Sequence, residues 1–365
     1  MKKKLMAVFM AAGMVTGLLT GCGSQKPQAE ASTAARAEES KGESRENTES
    51  PAAEEGEKLV LKLAMTTTNE MTGPTLEKFA GYVEENIPRV TIERYANGEL
   101  YTNAEEMQAA LSEGIIDITL EGDMAMSWAS PEWISWTSIP FAFSSREQAV
   151  KFFTGDAGKE INEKLISGYN MRFFDNAIGA RGGRMITANK KITKPEDLNK
   201  VKMRTPNVIG TVASWEALGA TVITVSWGDL FNALQTGVVD AEENPYLELK
   251  SGGFYQVQKY IMETSHQIGP QVIWMNETTF QKFSPEEQDI IMEANKIAFD
   301  YYNSASEETD KTIREEFIKN GNIIVPAEEI DLEAFRQIIV DKVVNSDLSK
   351  EYKEGGWEYI QSLAE

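Results

Sequence analysis

Cysteine and histidine are almost absent from this chain of 365 residues, and positive charge is scarce. The single cysteine, Cys22, excludes a disulfide within the chain, so the fold must be held by its core. The single histidine, His266, excludes a two-histidine zinc site. The 36 lysines and arginines stand against 57 aspartates and glutamates, which gives a net charge of -21. Nucleic acid is therefore a poor partner, since a phosphate-binding surface needs a basic patch.

Signatures of common enzymes are also missing. The sequence contains no P-loop, no G-x-G-x-x-G, no EF-hand loop and no G-x-S-x-G elbow. His266 lies in a segment of serine and glutamine without a nucleophile motif, which favours a hydrogen-bonded structural role over a catalytic one. No cofactor and no metal site is predicted. These absences favour a binding protein over an enzyme.

The N-terminal stretch has the features of a signal peptide. Three lysines at positions 2 to 4 precede an apolar run from Leu5 to Leu19, which is too short for a comfortable transmembrane helix. The run ends in Leu-Thr-Gly-Cys, which resembles the lipobox of bacterial lipoproteins. The resemblance implies a lipoprotein signal peptide over residues 1–22, with Cys22 lipidated and anchored to the extracytoplasmic face of the cell membrane. The alternative is a free thiol after an ordinary signal peptide.

Large aliphatic and aromatic side chains are missing from the next segment. From Gly23 to Lys58 there is no Val, Ile, Leu, Met or aromatic residue. Such a segment cannot bury enough apolar surface to offset its chain entropy. We expect residues 23–58 to be a disordered tether that holds the folded part on the order of 30 Å from the membrane.

Strand and helix patterns alternate from Leu59 onward, which predicts an α/β fold. Three tryptophans between residues 128 and 136 fall in a proline-containing stretch, which we expect to be a loop packed onto the core. From Pro285 to Asn320 there is neither glycine nor proline, and residues 284–287 form a capping-box pattern with proline at the first helical position. This pattern predicts one helix long enough to cross two domains.

The stretch from residue 200 to residue 207 contains the first candidate for ligand binding. Apolar and basic side chains alternate within it, which predicts a half-buried strand, and Pro206 ends that strand. Arg204 is therefore expected at the last strand position, where α/β sheets place ligand-binding side chains. Its guanidinium could bind a carboxylate through two donors. The alternative is a surface arginine at a strand end.

Downstream motifs connect this strand to a known family. Residues 226–240 and 242–246 predict a turn, a short helix ended by glycine, and a strand ended by proline. The block of K-M-R-T-P-N, A-L-Q-T-G-V-V-D and E-N-P resembles the solute-binding subunits of TRAP-type transporters, the DctP-like family. The resemblance covers roughly Leu59 to Glu365. It implies an extracytoplasmic protein, without enzyme activity, that captures a small organic acid for a TRAP-type membrane permease.

The same resemblance implies a fold and its division. The fold would be α/β and two-lobed, like periplasmic binding proteins, with a hinge and a long helix that crosses both lobes. Lobe I would comprise residues 59–180 and 270–303. Lobe II would comprise residues 181–269 and 304–365.

The resemblance also implies which residues bind the carboxylate of the ligand. In the family, two arginines approach this group, and the spacing from Arg204 selects Arg184 rather than Arg181. Trp227, as an aromatic platform, and Asn244, as a hydrogen-bonding group, are carried over by their spacing from Arg204. A core position after a turn is the alternative for Trp227.

Three more candidates lie at the ends of predicted strands. Glu121 and Asp123 follow the apolar run 115–120, in a segment that enters the cleft in the family. The alternative for both is a solvated loop. Thr66 begins a hydroxyl-rich loop over residues 66–69, which makes it a candidate ligand contact.

One position departs from the family pattern. Many relatives have Gln-Glu-Asn-Pro where this chain has Glu242-Glu243-Asn244-Pro245, which adds a carboxylate beside Asn244. The extra carboxylate favours a ligand with hydroxyls or an amine over a plain dicarboxylate. Two other functions remain open at this point. One is the binding lipoprotein of an ATP-driven importer, and the other is a surface-anchored hydrolase that uses Glu121, Asp123 or Glu243.

Overall fold

A computed structural model describes residues 57–364 of the chain. The predicted signal peptide, the lipidation at Cys22 and nearly all of the predicted tether lie outside the described residues. Within residues 57–364, no helix combines the length and the apolar composition needed to cross a membrane.

Strands and helices alternate along this part of the chain, as predicted. Its strands, numbered in chain order, are β1 (Leu59–Ala64), β2 (Val90–Tyr95), β3 (Ile118–Glu121), β4 (Met171–Phe173), β5 (Gly179–Ala180), β6 (Met185–Ala188), β7 (Lys202–Thr205), β8 (Thr221–Thr224), β9 (Ala241–Asn244), β10 (Tyr260–Met262), β11 (Pro270–Asn276) and β12 (Ile323–Val325). Its α-helices are α1 (Thr72–Asn86), α2 (Ala104–Ser112), α3 (Met126–Ala129), α4 (Pro131–Thr137), α5 (Arg146–Thr154), α6 (Asp156–Tyr169), α7 (Ile209–Ala217), α8 (Trp227–Gln235), α9 (Tyr246–Ser251), α10 (Glu277–Phe280), α11 (Pro285–Lys319), α12 (Leu332–Ile339) and α13 (Gly356–Ser362). Shorter helical turns lie at Pro195–Leu198, Phe254–Gln256, Ala327–Glu329, Val340–Val344 and Leu348–Glu351.

The strands form two separate sheets. The first sheet has the order β2-β1-β3-β11-β4, with β5 also paired to β11. The second sheet has the order β12-β10-β6-β9-β7-β8. The chain passes between the two sheets three times: between β5 and β6, between β10 and β11, and along α11 to β12. This connectivity gives a two-lobed α/β fold.

Buried apolar side chains pack on both faces of each sheet. Successive residues of β11 point to opposite faces, so Trp274 joins one cluster while Ile273 and Met275 join the other. Each cluster contains residues from both sheets; the cluster of Trp274, for example, also includes Phe173 of β4 and Ile186 of β6. The core is therefore continuous from one lobe to the other.

Helix α11 is the longest element and it contacts both lobes. The side chain of Ser284 accepts a hydrogen bond from the backbone N–H of Glu287, and the Glu287 carboxylate accepts one from the N–H of Ser284. This is the predicted capping box. Over 35 residues the helix extends about 50 Å and packs against α1, beside the first sheet, and α9, which follows β9 of the second. Asn303, midway along it, accepts from the N–H of Ala180 at 3.1 Å and donates to the carbonyl of Ile178 at 2.8 Å.

The prediction of a loop around the three tryptophans is wrong. The stretch forms α3 and α4, because Pro131 is compatible with the first turn of α4. Trp133 and Trp136 are buried in the core, as expected for such a cluster. The indole N–H of Trp136 donates to the carbonyl of Lys353 at 2.8 Å, which joins α4 to the C-terminal segment.

Helices α4 and α7 approach each other closely between the two lobes. The hydroxyl of Thr211, on α7, donates to the carbonyl of Ser138 at 3.1 Å. A Cβ atom at Gly210 would lie only 2.5 Å from the carbonyl oxygen of Ser135 on α4. Glycine is therefore required here by the closeness of the two backbones.

Candidate functional site

Strand β9 crosses the middle of the second sheet and carries two carboxylates into the interior. The side chains of Glu242 and Glu243 are buried, with residue exposures of 0% and 1%, and Asn244 follows them. Buried carboxylates are rare unless they are paired or hydrogen-bonded. The partners of these two groups therefore define the chemistry of the site.

Glu243 is paired with Arg184, which lies just before β6. Both Nε and Nη2 of Arg184 donate to the Glu243 carboxylate, the Nη2 contact with Oε1 at 2.9 Å. The same Nη2 also donates to Oδ1 of Asn244 at 3.0 Å. Burial lowers the pKa of Arg184, but the adjacent Glu243 outweighs it and the net pKa is raised. Arg184 is thus held by the protein itself, and it connects Glu243 with Asn244.

His266 lies on the other side of Glu243. Its Nε2 is 3.3 Å from Oε2 of Glu243 and its Nδ1 is 2.7 Å from the hydroxyl of Thr264. Burial alone would raise the pKa of Glu243, but Arg184 and His266 lower it to about 2. The carboxylate is ionised at neutral pH. His266 is buried and hydrogen-bonded, and its structural role stays a prediction.

Arg204, on β7, is buried without a partner for its charge. The residue is 4% exposed, and its Nε donates to the carbonyl of Val225 at 2.9 Å. Among residues 57–364 it has no other hydrogen bond and forms no ion pair. Burial lowers the pKa of Arg204, while Glu242 and Glu243 act in the opposite direction. The two terminal nitrogens of its guanidinium remain free to bind an anion.

Glu242 faces the same side of the sheet as Arg204. Its Oε1 accepts from the hydroxyl of Thr187 at 2.5 Å, and its Oε2 accepts from the amide of Asn244 at 2.6 Å. Burial is the largest influence on its pKa, and it raises the value to about 7 despite these hydrogen bonds and the charge of Arg204. At neutral pH this carboxyl group is therefore close to the midpoint of its titration.

Arg184 and Asp123 come together at a cavity of about 80 Å³ between the two lobes, here called the site cavity. Asp123 follows β3 of the first sheet, and burial raises the pKa of its carboxyl group. Polar side chains from both lobes line the space, together with a few apolar ones. The lining comprises Asp123, Met124, Ser127, Ile134, Ser138, Arg184, Pro206, Val208, Thr211, Glu243 and Gln267.

Glu121 lines a smaller cavity of about 50 Å³, here called the second cavity, whereas Thr66 lies outside this lining. The hydroxyl of Thr66 donates to Glu121 at 2.8 Å, and burial raises the pKa of Glu121. Arg181 and Glu248 line the same cavity and form an ion pair at 3.7 Å. The sequence reasoning missed Glu248, because nothing in its spacing separates it from a solvated helical glutamate.

Trp227 and Arg204 line neither of these cavities. Trp227 begins α8 and packs edge-on against Phe254, with ring centroids 5.0 Å apart. Asn244 is hydrogen-bonded to both Arg184 and Glu242. Within residues 57–364 no cluster of three or more His, Cys, Asp or Glu side chains could hold a metal ion.

The two lobes joined by a long helix, with charged side chains buried between them, define the class of two-lobed solute-binding proteins. The family model for bacterial extracellular solute-binding proteins of family 7, DctP, matches residues 64–347. The chain belongs to this family, and the predicted family and fold are confirmed.

Individual relatives agree with this assignment. A solute-binding protein of Roseobacter denitrificans is 30% identical over 265 residues, 73% of this chain and 79% of that protein. The sialic acid-binding periplasmic protein of Vibrio cholerae is 28% identical over 277 residues, 72% of this chain and 84% of that protein. The crystal structure of a TRAP periplasmic solute-binding protein from Roseobacter denitrificans with bound L-galactonate has a TM-score of 0.74 at 27% identity. The match covers 85% of this chain and 99% of the Roseobacter chain.

Proposed function

We propose that this protein captures a small organic acid, including hydroxy or sugar acids, for a TRAP-type permease. The observation that carries the proposal is Arg204, a buried guanidinium whose charge has no partner among the described residues. Leaving a charge buried and unpaired is costly, and a bound carboxylate removes that cost. Arg204 is then the main carboxylate-binding group.

The other candidate residues have supporting parts in this proposal. Arg184 contacts the ligand as a second donor while it stays bound to Glu243, and it orients Asn244. Asp123, Glu121 and Thr66 approach from the first lobe. Carboxylates accept hydrogen bonds from ligand hydroxyls, and the hydroxyl of Thr66 can accept or donate them, which favours a polyhydroxy acid. L-galactonate, which is bound in the structure of the Roseobacter relative, is an acid of this kind.

The division into lobes and the membrane anchor also belong to the proposal. We assign residues 59–180 and 270–303 to lobe I, and residues 181–269 and 304–365 to lobe II. The separate sheets and the three crossings support this division. The C-terminal helix α13 contacts α4 of lobe I as well, so the last segment bridges the two lobes. Lipidated Cys22 would hold the protein at the extracytoplasmic face of the membrane.

The family and the relatives named above do not favour the two alternative functions. Glu243, one of the carboxylates considered for a hydrolase, is held in an ion pair with Arg184. Proton transfer to a substrate requires a carboxyl group that is free to change its protonation state. The paired arginines of the TRAP-like motif argue against the lipoprotein of an ATP-driven importer.

A thermal-shift screen followed by calorimetry tests the proposal. The panel contains L-galactonate, D-glucuronate, sialic acid and succinate, with galactose and glucose as neutral controls that lack the carboxylate. An acid at 100 times its Kd should add roughly 2.7 kcal/mol to the free energy of unfolding. At least one acid should raise Tm, whereas the neutral sugars should not. A shift with galactose but with no acid, or turnover of an acid into product, would overturn the proposal.

A further inference from the structure

Strand β9 carries two glutamates, and the carboxyl group of Glu242, unlike that of Glu243, is not bonded to a cation. The pairing of Met203 with Ala241 makes the next residues, Arg204 and Glu242, neighbours on one face of the sheet. Thr187 lies opposite Glu242 on the other neighbouring strand. The side chains of Thr187, Glu242 and Arg204 therefore form a row across the sheet, and Asn244 closes one end of it by its hydrogen bond to Glu242.

The charges around this row decide the protonation of Glu242. Two guanidiniums, of Arg184 and Arg204, face two carboxyl groups, of Glu242 and Glu243. If both carboxyl groups are ionised, the four charges cancel, and a bound acid brings an unbalanced negative charge into a buried site. If Glu242 is protonated, one positive charge is left for the carboxylate of the acid. Since an unbalanced buried charge is costly, the second arrangement is the stable one.

We propose that Glu242 takes up a proton from the solvent when the protein binds an organic acid, so that acid binding is coupled to pH. The inference rests on the proposed function, because it requires a carboxylate beside Arg204. A protonated Glu242 keeps both of its hydrogen bonds. One oxygen then donates to the hydroxyl of Thr187, and the other still accepts from the amide of Asn244. Glu242 thus also positions Asn244 next to Arg184.

The pKa values of the neighbouring titratable groups are shifted in different directions. Glu243, on the same strand, has its pKa lowered to about 2, and the guanidiniums of Arg184 and Arg204 stay charged at any relevant pH. His266 faces Glu243 from the segment after β10, and burial lowers its pKa. The value of about 7 for Glu242 fits the geometric argument and places its titration at physiological pH. Asp123, across the site cavity, is the competing group, since burial raises its pKa as well.

The sign of the coupling follows from linkage. A bound anion favours the protonated form of Glu242, so affinity is full well below the pKa of Glu242 and falls as pH rises through it. If each bound acid brings one proton, Kd rises roughly tenfold per pH unit above the pKa that Glu242 has in the ligand-free protein. Proton uptake on binding should be small at pH 6, where Glu242 is already protonated, and should approach one proton at pH 8.

A first measurement needs no ligand. The unfolding midpoint in urea is followed from pH 5 to pH 8.5 for the wild type, Glu242→Gln and Glu216→Gln, an exposed matched control on α7. Because the folded state raises the pKa of Glu242, its favourable contribution is full below the unfolded value near 4.5 and is lost as pH rises through 7. Glu242→Gln should therefore gain stability over the wild type as pH rises, while Glu216→Gln should follow the wild type. Equal pH profiles for all three proteins would overturn the inference.

A second measurement counts protons during binding. Calorimetry with L-galactonate, D-glucuronate or succinate is carried out at pH 6 and pH 8, in two buffers of different ionisation enthalpy. Glu242→Gln should take up no proton on binding, and its Kd, whatever its absolute value, should be the same at pH 6 and pH 8. Glu216→Gln should retain the uptake. If uptake persists in Glu242→Gln and disappears in Asp123→Asn, the proton belongs to Asp123 and the inference is wrong.

The two measurements also separate this inference from the proposed function. If the ligand-free profiles differ as expected but no acid binds, the proposed function and the coupling both fail, although Glu242 is still a buried titrating group. If an acid binds with the same Kd at pH 6 and pH 8, the proposed function stands and the coupling fails.

Discussion

At the scale of single residues, Arg184 and Arg204 have different environments: Arg184 is partly buried, with a side chain 15% exposed, whereas Arg204 is buried. Arg184 bonds to Glu243 and Asn244, whereas Arg204 bonds to one backbone carbonyl. Substitutions at these two positions measure their separate contributions to stability and to binding.

Replacement of each arginine by methionine should have opposite effects on the free protein. Arg184→Met leaves Glu243 buried without its guanidinium and should cost about 3–5 kcal/mol of unfolding free energy. Arg204→Met removes a buried charge that has no partner, so it should be neutral or stabilising without ligand. Urea unfolding of both variants measures the difference. A loss of more than about 2 kcal/mol in Arg204→Met would mean that Arg204 has a structural partner after all.

The role of Arg204 in binding is tested by a substitution that keeps its charge. Arg204→Lys loses the planar fork of donors that can hold a carboxylate through two hydrogen bonds, so binding of the best acid should weaken by about 2 kcal/mol. Calorimetry measures the loss, and Lys202→Arg on the same strand is the control. Unchanged affinity in Arg204→Lys would remove it as the main carboxylate-binding group.

The sequence could indicate these two arginines but not their partners. Arg204 was found because a strand pattern ends at a proline directly after it, and Arg184 was found through its spacing from Arg204 in the family. The ion pair of Arg184 with Glu243 joins residues 59 positions apart, one just before β6 and the other on β9. Such a contact depends on the register of β6 with β9, which local patterns do not determine.

At the scale of elements, prediction succeeded where one local signal decided the outcome. The capping box and the absence of glycine and proline defined α11 to within one residue of its end. The stretch around the tryptophans was wrongly predicted as a loop, because proline was given more weight as a helix breaker than as a residue of the first helical turn. The contact between α4 and α7 could not be predicted, since it depends on how the two lobes meet.

This contact gives a prediction for Gly210. Gly210→Ala places a methyl group against the carbonyl of Ser135, so α7 must move away from α4 and the hydrogen bond of Thr211 to Ser138 is strained. Affinity for the acid should fall at least tenfold, or about 1.4 kcal/mol. Gly81→Ala is the matched control, because no atom beyond its chain neighbours and the nearby backbone of its own helix lies within 4 Å of its added Cβ. It should stabilise α1 slightly by helix propensity.

If Gly210→Ala binds as tightly as Gly81→Ala, the contact between α4 and α7 is not part of the ligand-bound state. Hydrogen exchange at the N–H groups of α4 and α7 then separates two explanations. Either the closed contact tolerates the methyl group, or the contact is open in both the ligand-free and the ligand-bound protein.

At the scale of the whole molecule, the three crossings between the sheets restrict how the lobes move. Two crossings are short segments beside each other, and the third is α11, whose Asn303 is bonded to the first crossing at Ile178 and Ala180. A continuous helix bends more easily than it twists. We therefore expect the lobes to close by a bending motion, with the bound acid supplying the energy that favours the closed form.

Small-angle scattering measures this closure. The radius of gyration should be smaller with a saturating acid than without one, and Arg204→Met should show no decrease at the same acid concentration. A radius that stays constant in the wild type would make a rigid site the better description.

The close approach of Gly210 to Ser135 has a consequence for which acids are accepted. The contact lies directly beside the site cavity, since Ser138 and Thr211 line that cavity. We expect that an acid that extends beyond this edge must separate α4 from α7 and break the hydrogen bond between Thr211 and Ser138. In the proposed function, the charged residues select for a carboxylate, while the close contact of two helix backbones limits the length of the acid. Chemical selectivity and length selectivity would then reside in different parts of the molecule, and each could be changed without the other.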